Sequence, residues 1–173
     1  MDLCDSPAEA AFRCDARTFL EQHAHAIPDE LVDSSDEWEA TLAEAKAWQR
    51  LLHDSGWGAI TWPKEHGGRG GSPVEQIIWN QECDRAKAPS SVNIVGISMA
   101  GPALIGHGTD EQQDRYLSRI LSGEEIWCQL FSEPGAGSDM AGLGTRAVKD
   151  GDEWIVNGQK VWTSGGHTAD MGM

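Results

Sequence analysis

Apolar residues recur at three- and four-residue spacing through the first two thirds of the chain, and alternate with polar ones in the last third. Phe12, Ala16, Phe19 and Leu20 fall on one helical face; Trp38, Leu42, Ala45 and Leu52 form a second, and Tyr116, Leu117, Ile120 and Leu121 a third. The helix starts are marked. Ser6-Pro7-Ala8-Glu9 puts a hydroxyl at the N-cap, proline at the first helical position and glutamate two residues on, so side chain and backbone satisfy each other's orphan groups. The same logic recurs at Ser34–Glu37, Ser72–Glu75 and Thr109–Gln112, predicting four helices. The third begins apolar with Val74, Ile77 and Ile78 but runs into Glu82 and Arg85, three apart, an ion pair expected to tie this helix to its neighbours.

Between the second and third helices, Gly56 to Gly71 holds too many glycines, with Pro63, for a regular element. A structured loop pinned by Trp57 and Trp62 is expected. His66 and His107, beside glycines, read as turn residues. After Gly123 the period changes. Ile126 to Phe131 reads as a buried strand. Arg146–Asp150, Glu153–Val156 and Gln159–Thr163 are separated by Gly151-Asp152 and by Asn157-Gly158, and predict two successive hairpins in an antiparallel meander. Helices followed by strands give an α+β chain of two domains, residues 1–125 and 126–173.

Composition narrows the partners. With 28 acidic residues against 13 basic, the net charge of −15 repels phosphate backbones and excludes a general nucleic-acid binder. It leaves room for a phosphate-bearing small ligand held by backbone N–H groups. Cys4, Cys14, Cys83 and Cys128 have neither metal-ligand nor disulfide-framework spacing, which predicts reduced thiols, no metal and a cytoplasmic protein. The acidic N-terminus is not a signal peptide, and Val92 to Gly106, the most apolar stretch, is shorter than the roughly 18 residues of a membrane span.

Two stretches carry candidate chemistry. Ser132-Glu-Pro-Gly-Ala-Gly-Ser-Asp139 leaves a strand, turns at Pro134-Gly135 and presents small residues before the Ser138 hydroxyl; by spacing alone it is equally a tight turn or a phosphate cradle. Val161-Trp-Thr-Ser-Gly-Gly166 sets an indole beside two hydroxyls, suited either to an ordinary core or to stacking on a flat ring.

Together, Gln129-Leu-Phe-Ser-Glu-Pro-Gly-Ala-Gly-Ser-Asp139 and Gly151-Asp-Glu-Trp-Ile-Val-Asn-Gly-Gln-Lys-Val-Trp-Thr-Ser164 resemble the acyl-CoA dehydrogenase family, as do Trp62-Pro-Lys-Glu-His-Gly-Gly68 and Gly123-Glu-Glu125. The resemblance implies an N-terminal helical domain followed by the beginning of an antiparallel β-barrel-like domain, with FAD as cofactor and an acyl-CoA as substrate. It places Gln129, Leu130, Phe131 and Ser132 against the flavin ring, and Gly137 and Ser138 near the FAD pyrophosphate, with Ser138 also near the CoA part of the substrate. Trp162 is expected to flank the ring and Ser164 to donate to flavin N5, with Thr163 between them where many relatives carry an aliphatic residue. The implied reaction forms a trans-2-enoyl thioester, and electron-transfer flavoprotein is the expected acceptor, in a homo- or hetero-oligomer. The family's glutamate base lies in a C-terminal helical domain. No glutamate here maps onto it, so an incomplete copy without its catalytic base is expected. A non-catalytic partner subunit, or a flavin oxidase or monooxygenase of the same fold, are the alternatives.

Overall fold

The computed structural model describes residues 4–24 and 35–173, the side chains of 35–38 aside. The chain divides into two compact units, Met1–Glu125 and Ile126–Met173.

The first unit is helical: α1 (Pro7–His23), α2 (Ser35–Asp54), α3 (Pro73–Ala86), α4 (Gly101–His107) and α5 (Asp110–Ser122). Complete capping boxes open α1 at Ser6 and Glu9, α3 at Ser72 and Glu75, and α5 at Thr109 and Gln112. Each such cap contributes on the order of 1 kcal/mol. The box expected at Ser34, and the place of Trp38, lie outside the described residues.

Phe12, Ala16 and Leu20 of α1 meet Ile78 and Trp79 of α3, with Trp48 and Leu52 of α2 in the same core. Trp57, from the glycine-rich loop, stacks on Trp79 with ring centres 4.7 Å apart, and the Arg69 guanidinium lies 3.8 Å above the Trp57 ring. That loop is indeed ordered. Its backbone is cross-linked from Arg69 N–H to the Ala59 carbonyl and from Gly71 N–H to that of Ile60. His66 ends a single 3₁₀ turn over 64–66 and His107 ends α4.

Glu82, only 2% exposed, receives Arg17 at 2.9 Å, Arg85 at 2.8 Å and Arg13 at 3.2 Å. The charged pair of α3 therefore does tie α3 to α1. Val74 and Ile77, read as the start of an apolar stripe, are instead exposed, because α3 turns Ile78, Trp79 and Glu82 inward.

The apolar stretch after Val92 forms a π-helical turn, Gly96–Ala100, that runs into α4. Gly101 N–H bonds the Gly96 carbonyl, and Pro102 has no N–H to offer that of Ile97. The Trp62 indole supplies it, donating to the Ile97 carbonyl at 3.0 Å. Its ring lies so close that a Cβ on Gly101 would stand 1.9 Å from Trp62 Cζ2. Two fully buried amides close the far end of α5. Gln49 Nε2 donates to the Leu121 carbonyl and Asn93 Nδ2 to that of Ile120, two acceptors of the helix C-terminus, and Asn93 also donates to the Glu125 carbonyl just beyond it.

In the second unit, β1 (Trp127–Cys128) and β4 (Met171–Gly172) pair in parallel, while β2 (Arg146–Asp150) and β3 (Glu153–Asn157) form an antiparallel hairpin. Gly151, at φ 61°, takes the first turn position, as a Gly-first hairpin requires. The second expected hairpin does not form, and the strand expected over 126–131 is paired as a strand only at 127–128. Asn157 and Gly158 have no positive φ. Gly158 serves close approach instead, since a Cβ there would lie 2.0 Å from Thr145 Oγ1. The chain then crosses to residues 131–133.

Candidate functional site

The site is built by that crossing. Glu133 and Ala136 exchange backbone hydrogen bonds of 2.8 and 3.1 Å, closing a tight turn over Pro134-Gly135. Buried Ala136 anchors the turn, and Gly135, Gly137 and Ser138 face outward. A Cβ on Gly135 or Gly137 would meet nothing within 4 Å, and neither glycine has a positive φ. Packing inside the chain does not call for glycine there; an incoming ligand would.

Glu133 organises the turn from within. Its carboxylate accepts from Gly144 N–H at 2.6 Å, Thr145 N–H at 3.0 Å and Lys160 Nζ at 2.8 Å. The Lys160 ammonium, with these N–H groups, holds the Glu133 carboxyl down at about 2. Lys160 also donates to the Phe131 carbonyl at 2.9 Å, and Val161 N–H bonds the Ser132 carbonyl at 2.9 Å. These bonds lay the second motif alongside the first.

Trp162 follows at once, with φ 58° and 91% exposed. A bulky residue in the left-handed region costs about 1–3 kcal/mol. Leaving its ring in water forgoes about 1.5–3 kcal/mol of burial. The chain then turns through Gly165, with Gly166 N–H on the Thr163 carbonyl.

Phe131 and Ser132 are thus tied to Lys160 and Val161, the residues just before Trp162, Thr163 and Ser164, while no hydrogen bond among the described residues joins Gln129 or Leu130 to 162–164. Leu130 N–H is engaged by the Met173 carbonyl, whereas those of Phe131, Ser132, Gly137 and Ser138 bond no partner among the described residues. Ser138 stands on the outer side of its turn, with no hydrogen bond to 162–164 among the described residues. N–H donors without a partner among the described residues, on a segment bonded to the residue before an exposed indole, suit a flat ring with acceptors on its edge and an anionic tail, so the residues present fit FAD. The Glu133–Lys160 pair was missed in the sequence, where the one signal was a lysine inside an apolar strand pattern.

The helical unit holds a cleft of about 250 Å³ lined by Trp48, Trp57, Trp79, Ile94 and Ile97. Cys83 borders it, but burial pushes its thiol up to about 12, too high for a ready nucleophile. Among the described residues, no helix is long and apolar enough to cross a membrane, and no His, Cys, Asp and Glu cluster could hold a metal ion.

Residues 6–124 match the family "Acyl-CoA dehydrogenase, N-terminal domain", and residues 128–173 match "Acyl-CoA dehydrogenase, middle domain". Acyl-CoA dehydrogenase IpdE1 of Mycobacterium tuberculosis is 50% identical over 124 residues, covering 72% of this chain and 32% of that protein. The chain therefore spans about a third of this relative's length. The solved ChsE4–ChsE5 complex from Mycobacterium tuberculosis superposes with a TM-score of 0.76 at 35% identity, over 98% of this chain and 42% of that one. The Tcur3481–Tcur3483 steroid ACAD gives 0.75 at 35%, over 99% and 44%.

Proposed function

The chain belongs to the acyl-CoA dehydrogenase family, and from that premise we propose that residues 129–139 and 160–164 form the flavin face of an acyl-CoA dehydrogenase. One observation carries the reading: Val161 N–H on the Ser132 carbonyl joins the two motifs and leads straight into the exposed Trp162 indole. In this reading Gln129 to Ser132 and Trp162 to Ser164 hold the ring. Gly137 and Ser138 take the pyrophosphate, with Ser138 also near CoA. When bound, FAD supplies the hydride acceptor that protein side chains lack. The chain's share is to orient it and to donate hydrogen bonds where charge develops.

Glu133 is not the base. It accepts three hydrogen bonds and is held at about 2, far below the pKa of an effective proton acceptor. The α-proton is taken by a group outside these motifs. Acyl-CoA is the substrate class, electron-transfer flavoprotein the expected acceptor, and an assembly of two or more chains the working form, as the two-chain ChsE4–ChsE5 structure suggests. None of the four cysteines forms a disulfide, which fits a reducing compartment such as the cytoplasm.

The test is to purify the complete protein with any partner chain and titrate it with FAD. Anaerobic additions of straight-chain and steroid-derived CoA esters follow, because a steroid enzyme is among the similar structures. Bleaching of the bound flavin with enoyl-CoA formation is expected. Failure to bind FAD would refute the reading.

A further inference from the structure

Lys160 stands out because it belongs to the second motif yet spends all its visible contacts on the first. Its ammonium reaches the Phe131 carbonyl at 2.9 Å and Glu133 Oε1 at 2.8 Å. Glu133 in turn holds Gly144 and Thr145, and Thr145 is the residue against which Gly158 packs. Three separated segments, 131–133, 144–145 and 158–160, therefore converge around one ion pair whose two side chains are 22% and 10% exposed.

We propose that Lys160 is a positioning residue: by bridging the Phe131 carbonyl and the Glu133 carboxylate, it sets the spacing between the strand end at 131–132 and Trp162, and hence the shape of the flavin face. This rests on the flavin reading above. Lys160 touches no ring in this reading. It acts through the Phe131–Ser132 backbone, whose carbonyls are taken by Lys160 Nζ and Val161 N–H while its N–H groups bond no partner among the described residues. A hydrogen bond to a charged donor in a part-buried place holds a backbone far better than a neutral one.

Lys160→Met keeps the length of the side chain and removes the charge; Lys160→Arg keeps both reach and charge. Each is made in the complete protein and titrated with FAD, recording the flavin absorption spectrum and the melting of the apo form. The expected result for Lys160→Met is FAD affinity weakened about tenfold, with an altered flavin spectrum and an apo form that still unfolds cooperatively, at a lower temperature because Glu133 loses its cation. Lys160→Arg should recover most of the affinity and the spectrum. If Lys160→Met does not fold, Glu133→Gln carries the same test: it keeps the shape and one acceptor oxygen, removes the charge, and turns the other oxygen into an NH2 group that no longer accepts from its N–H partner. Unchanged affinity and spectrum in the folded variant would overturn the positioning role and leave the flavin reading standing. No FAD binding by the unmodified protein would overturn both.

Discussion

Replacing Glu82 by glutamine should weaken the helical unit in a pH-dependent way whose size follows from its surroundings. The carboxylate is 3% exposed and surrounded by Arg17, Arg85 and Arg13. The Arg17 hydrogen bonds, with smaller help from Arg85 and Arg13 and against the opposing effect of burial, lower its pKa from 4.5 to about 2. At about 1.4 kcal/mol per pKa unit this drop of 2.5 is worth about 3 kcal/mol. Arg17 and Arg85 are nearly half exposed, so water screens part of it and about 2–3 kcal/mol is expected. A folded pKa below the unfolded one stabilises above about 4.5, and that stabilisation is lost as pH falls through about 2. Urea unfolding followed by far-UV circular dichroism, which weights the helices, measures it. Glu82→Gln should lose about 2–3 kcal/mol at pH 7 and less than half of that at pH 3. A difference near zero, or one equal at both pH values, would refute the view that the arginines hold this charge.

Two further outcomes follow from the packing. Asn93→Ala removes the side-chain donor to the Glu125 carbonyl and one of two donors to that of Ile120, which keeps Gly123 N–H, and should cost about 1–3 kcal/mol, read as a lower urea midpoint. Trp162→Ala removes a ring that is 91% exposed, so stability should move by no more than about 0.5 kcal/mol while FAD affinity falls, read by paired melting and flavin titration.

What the sequence made legible was local. Ser6, Ser72 and Thr109 announce helices because their partners lie within three residues, and those boxes are all closed in the fold. The Gly151-Asp152 hairpin is legible for the same reason. Asn157-Gly158 carried an equally strong turn signal and misled, because distant partners decided the outcome: Thr145 against Gly158, Phe131 and Glu133 around Lys160, Ser132 on Val161. Gln49 and Asn93 were silent for a related reason. An amide destined for a helix end 72 or 27 positions away looks like any surface amide. In the candidate site the ion pair between the two motifs and the left-handed backbone of Trp162 were not readable, because each is set by partners or a conformation that no local pattern announces.

Trp62, Gly101 and Pro102 have a consequence for how this region can change over generations. The indole ring fits only where residue 101 has no Cβ, and the indole N–H is needed because residue 102 is proline. Phenylalanine at 62 would abandon the Ile97 carbonyl; a larger residue at 101 would collide before any smaller ring had arrived. Single steps lead downhill from here, whereas a joint exchange of all three positions need not. Lineages and libraries that wander through this segment should therefore keep the trio intact or replace it as a set.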